Sequence, residues 1–188
     1  MKIKNLLKTV GIGLILIIVA IFAFMGAIIF DVASYTATGS QTLEPNGTAV
    51  GNALVVYDPG LSGASTNAAN IIASTLQSKG FRVDLVGIRN SKATNTSNYR
   101  LVIVGGPVYA GKVASSVQEY LKNLNLTPGT RIGVFVTGQD PDSANDYNLL
   151  LKEAAPLPEN STLSINALMK IVKNDNDKII AFVNTITA

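Results

Sequence analysis

With neither histidine nor cysteine in its 188 residues, this chain can do chemistry only through carboxylates, hydroxyls, tyrosines, amines and backbone amides. Thiol nucleophiles, disulfides and the usual zinc sites are excluded. Asp58-Pro-Gly-Leu-Ser-Gly-Ala-Ser65 sets Gly60 and Gly63 beside the hydroxyls of Ser62 and Ser65 and runs through Ala64 into a helical pattern. Glycines let backbone amides converge on an anion, and a helix N-terminus adds partial positive charge. The same residues also suit a plain tight turn in which Ser65 or Thr66 caps the helix.

Two further segments carry functional groups. Gly105-Gly-Pro-Val-Tyr-Ala-Gly-Lys112 places an aromatic between two glycine clusters, where Tyr109 either stacks on a flat ring or packs over neighbouring strand ends. Gly138-Gln-Asp-Pro-Asp-Ser-Ala-Asn-Asp-Tyr147 is polar and long enough to wall one side of a pocket. Its Asp140, Asp142 and Asp146 lack the ligand pattern of an EF-hand and read as solvated loop carboxylates rather than as a calcium site.

All three segments follow short apolar runs. Ala53–Tyr57, Leu101–Val104 and Arg131–Thr137 read as buried strands, and Arg82–Val86 alternates apolar with polar residues as an edge strand does. A weaker strand is expected near Leu163–Leu168. Helical spacing covers Ser65–Lys79, Val113–Leu124, Tyr147–Ala155 and about Asp175–Ile186. Strands alternating with helices predict an α/β domain over residues 51–188, with a parallel sheet covered on both faces. In such a sheet ligands bind at the carboxyl ends of the strands, where the three segments lie.

Ahead of this domain, Val10–Phe30 contains no charged residue and spans about 31 Å as a helix, the thickness of a bilayer's hydrocarbon core. It is expected to cross a membrane. A cleaved signal peptide is the alternative, set against an unusually long apolar stretch with no Ala-x-Ala after it. Lys2, Lys4 and Lys8 precede the run and no further Lys or Arg occurs before Lys79, which places residues 1–9 in the cytoplasm and the domain outside. Residues 31–50, rich in Ser, Thr and Gly, read as a flexible tether. Fifteen Lys and Arg face twelve Asp and Glu over the whole chain, and the excess lies in those three N-terminal lysines, so no nucleic-acid surface is expected.

The segments ALVVYDPGLSGASTNAANIIA, LVIVGGPVYAGKVASSVQEYL and GVFVTGQ together resemble the flavodoxin family. The resemblance implies a three-layer fold with five parallel strands in the order 2-1-3-4-5 and flavin mononucleotide (FMN) across the strand ends. Carried over by position, Gly60, Ser62, Gly63, Ala64 and Ser65 would surround the phosphate. Pro107, Val108, Tyr109, Ala110 and Gly111 would border the ring, Thr137, Gly138 and Gln139 would close its other side, and Tyr147 would be a candidate second stacking group. The implied function is electron transfer to or from a membrane-associated partner protein or quinone. The flavin-facing segments offer no acid, base or thiol for a specific substrate reaction. The alternative is a cofactor-free binding or interaction module of the same fold at the cell envelope.

Overall fold

Strands that are apolar on both faces are stable only between two helical layers, and this chain builds that arrangement. The computed structural model describes residues 3–158, 161–172 and 175–188, with side chains described over 10–26 and from 37 onward within those ranges. Five parallel strands form the centre: β2 (Gly51–Tyr57), β3 (Phe81–Gly87), β4 (Leu101–Tyr109), β6 (Arg131–Thr137) and β7 (Ala167–Ile171). Two antiparallel strands join them, β1 (Ser40–Leu43) on β3 and the two-residue β5 (Lys112–Val113) on β4. The sheet runs β1-β3-β2-β4-β6-β7 with β5 beside β4.

Alternate strand residues feed two cores. Ala53, Val55, Ile103 and Phe135 meet α2 (Ala64–Ser78) and α5 (Asn176–Thr187) on one face. Leu54, Val56, Val104 and Val134 meet α3 (Ser115–Asn123) and α4 (Tyr147–Ala154) on the other.

The sheet corrects the expected five strands to seven, and the additions have physical causes. Arg82 and Asp84 in β3 suggest a solvated edge, yet β1 covers that edge, with Thr42 opposite Asp84 and its hydroxyl donating to the carboxylate at 2.5 Å. β1 lies in the segment expected as a tether, so part of that segment belongs to the sheet. The last strand sits four residues beyond Leu163, because Asn166 satisfies the start of β6 through its side-chain oxygen on the Ile132 amide and its own amide on the Ile132 carbonyl.

Helix α1 (Ile3–Ala37) extends past Phe30, where the expected span ends. Every large apolar side chain from Val10 to Met25 is exposed. Among the described residues no helix is long and apolar enough to cross a membrane. The side chains of Ala27–Phe30, the last part of the expected span, lie outside the described residues.

Candidate functional site

At the carboxyl ends of β4, β6 and β7 and the start of α2 lies a crevice of about 670 Å³. One wall is a hairpin. β4 runs on to Tyr109, five residues beyond the expected strand end, and Ala110 and Gly111 turn the chain back into β5 with φ of 50° and 76°. Positive φ at both central residues is the type I′ pattern that matches strand twist. Gly111 adopts it freely, whereas Ala110 pays for its Cβ in the left-handed region.

Close approach explains the glycines below the hairpin. A Cβ on Gly105 would fall 2.3 Å from the Phe135 ring and 2.4 Å from its carbonyl oxygen. One on Gly106 would meet Val117 at 2.8 Å and Asp58 at 3.0 Å. These glycines let β4 lie tight between its neighbours, so the crevice opens only past Pro107.

The loop between β2 and α2 forms the other end. Gly63 supplies the N-cap of α2 with φ 71° and open space beside it, so a side chain there would be opposed by backbone conformation, not by crowding. Several loop amides already have partners. The Asp58 carboxylate accepts from the Gly60 amide at 3.0 Å, the Tyr109 hydroxyl from the Leu61 amide at 3.2 Å, and the Ser62 hydroxyl from the Ala64 amide at 3.3 Å. Ser116 donates to the other Asp58 oxygen. Ser65 turns away, 1% exposed, and shares a 2.7 Å hydrogen bond with the Thr137 hydroxyl.

The floor carries charge. Lys170 on β7 is fully buried; its Nζ lies 2.7 and 2.8 Å from the two oxygens of Glu153 on α4 and 2.8 Å from the Ser143 hydroxyl. Ser143 donates to Glu153 at 2.5 Å, closing a three-membered network. The Lys170 Cε lies 3.3 Å from where a Gly138 side chain would begin, so the absence of one there leaves the lysine beside the crevice.

Of the residues expected to form a site, the crevice brings together Ser62, Ala64, Pro107, Val108, Tyr109, Ala110, Gly111, Thr137, Gly138 and Gln139. Gly60, Gly63 and Ser65 are not part of its lining. Tyr109 has its hydroxyl on the β2–α2 loop, and Tyr147 is an exposed residue in the first turn of α4, away from the crevice. In the acidic loop, Asp140 accepts from the Asp142 amide, while Asp146 caps α4 through the amides of Asn148 and Leu149. Sequence reasoning missed Lys170 and Glu153. The available signal was a lysine inside a strand covered on both faces, which requires a buried partner.

This fold also occurs in solved structures. A short-chain flavodoxin associated with a PDU bacterial microcompartment superposes with a TM-score of 0.51 at 18% identity, covering 72% of this chain and 96% of that one. Oxidised flavodoxin 2 from Bacillus cereus gives 0.50 at 18% identity, covering 72% and 97%. The fold is flavodoxin-like. At that identity the likeness concerns the flavodoxin-like fold alone. No protein-family model and no curated protein matches the sequence.

Proposed function

We propose that the flavodoxin-like domain binds a flavin such as FMN in this crevice and serves as an electron-transfer module. The observation that carries the reading is the crevice itself, which opens where the topology of an α/β sheet places ligands and is walled by Pro107–Gly111 and Thr137–Gln139. Its ring end fits a flat heterocycle: the strand end and hairpin present backbone groups, and Val108 and Tyr109 present apolar surface. The flavin when bound would supply the redox chemistry. The protein's own residues would orient the ring, restrict water, and set the local field through Lys170 and Glu153.

We further propose that α1 holds the domain at a membrane, with the N-terminus in the cytoplasm and the domain outside. Support comes from the uncharged run Val10–Phe30 and from the exposed large side chains between Val10 and Met25, which in water would forgo the gain that burial in hydrocarbon supplies. A resident redox partner, protein or quinone, is the corollary. A cofactor-free binding module is the second reading, favoured by the loop amides that side chains already engage.

The test is the full chain purified in detergent micelles, mixed with FMN and followed in the visible region. A shifted flavin band that bleaches and returns on reduction and reoxidation supports electron transfer. An FMN spectrum identical to free ligand at micromolar protein favours the cofactor-free module. Membrane attachment is tested separately by alkaline carbonate extraction, in which the chain should stay with the membranes and a chain lacking residues 10–30 should not.

A further inference from the structure

An anchored phosphate needs free donors or positive charge, and part of the loop that would supply them in this crevice is already committed. Gly60, Leu61 and Ala64 direct their amides to Asp58, Tyr109 and Ser62. The Ser65 hydroxyl is spent on Thr137. What the loop retains for an anion is the Ser62 hydroxyl, which only accepts within the loop, and the amides of Ser62, Gly63, Ser65 and Thr66 at the first turn of α2.

Charge points the same way. Among the described residues lining the crevice Lys170 is the one cation, and it is neutralised by Glu153. Asp140 also lines the crevice, and Asp58 stands directly behind the loop with both oxygens engaged. Among the described residues the local balance is negative, so a doubly charged phosphate would enter against repulsion. None of these features opposes a neutral ring at the other end.

We propose that the crevice holds its flavin by the ring and that the terminal phosphate adds little, so that riboflavin, the unphosphorylated flavin, binds about as tightly as FMN. This rests on the flavin reading above and specifies its ligand class. Asp58 and Tyr109 are the specificity-determining residues. Asp58 opposes the anion through charge, and Tyr109 holds the Leu61 amide away from it.

The experiment is fluorescence titration of riboflavin and of FMN with the full chain in detergent at fixed ionic strength, with inorganic phosphate as competitor. The proposal expects the two dissociation constants to agree within about fivefold and bound flavin to stay in place in phosphate at about 50 mM. A preference for FMN beyond that, or displacement by phosphate, overturns it while leaving the flavin reading intact. Quenching of neither flavin overturns both. Asp58→Asn keeps an oxygen for the Gly60 amide and removes the charge. It should tighten FMN by roughly fivefold and leave riboflavin unchanged. An equal effect on both ligands, or none on FMN, contradicts the charge argument.

Discussion

Asp84 and Glu153 are both nearly buried carboxylates, 6% and 5% exposed, but they are held in different ways. Asp84 sits at the β1 edge and shares its charge among the hydroxyls of Thr42 and Tyr99 and the Arg82 guanidinium, whose own side chain is 39% exposed. Glu153 sits under the crevice with one fully buried cation, Lys170, and the Ser143 hydroxyl. The first is a graded brace in which each partner takes a small share. The second is all-or-none, because removing either charge strands the other in a dry place. A site that must keep a fixed field beside a ligand gains from the second arrangement, while an edge strand that only has to stay paired is served by the first.

Breaking the buried pair should therefore have the largest effect. Lys170→Met leaves Glu153 with an uncompensated charge and should cost about 3–5 kcal/mol of stability in chemical unfolding of the detergent-solubilised chain. Adding Glu153→Leu should recover most of that loss, since two apolar side chains pack where an ion pair stood. If the double variant is no more stable than the single one, the cost comes from packing and the contrast with Asp84 fails.

Asp84→Asn should cost less, about 1.5–3 kcal/mol, with the loss localised: β1 should become the first segment cut in limited proteolysis. Arg82→Met should change stability by less than about 1 kcal/mol, because that guanidinium is partly in solvent. The pH dependence follows the same brace. Burial raises the Asp84 pKa, but the hydrogen bonds from Thr42 and Tyr99 and the charges of Arg82 and Lys92 outweigh it and hold the group below the usual carboxylate range. Its contribution is thus present above about pH 3.9, the unfolded value, and lost as pH falls through the lower folded value. Asp84→Asn should flatten the acid limb of the stability curve.

The smallest effect is spectroscopic. Burial, and then the hydrogen bond to Asp84, push the Tyr99 hydroxyl up to about 12. Stability from that phenol is complete below about pH 10 and declines as pH rises toward the folded value. In a titration of tyrosinate absorbance, Asp84→Asn should bring one tyrosine back toward the ordinary range; an unmoved titration would show that burial alone sets it.

The periodicity of buried and half-buried residues made much of the fold legible in the sequence. Arg131–Thr137 is β6 residue for residue, and the helices α2 to α5 begin and end within about two residues of their expected positions because caps and apolar spacing are local signals. Pairings that depend on distant residues were not legible. β1 has four residues, mostly exposed, and little hydrophobic pattern; Asp84, more than forty residues away, gives it a reason to pair. The site divides similarly. Glycine and proline punctuation marked the crevice walls, whereas the floor depends on a lysine and a glutamate seventeen residues apart whose contact no local pattern encodes. The Tyr109 hydroxyl on the Leu61 amide likewise joins loops forty-eight residues apart.

The claim that this crevice is a flavin site is tested most directly by comparing the unaltered chain with Gly138→Val. That side chain would start 3.3 Å from both Val108 and Lys170 and fill the space between them. Fluorescence titration should show flavin quenched at one equivalent by the unaltered chain, and binding weakened more than about tenfold in the variant while its circular dichroism is unchanged. Equal binding by two equally folded proteins would place the flavin elsewhere and contradict the account.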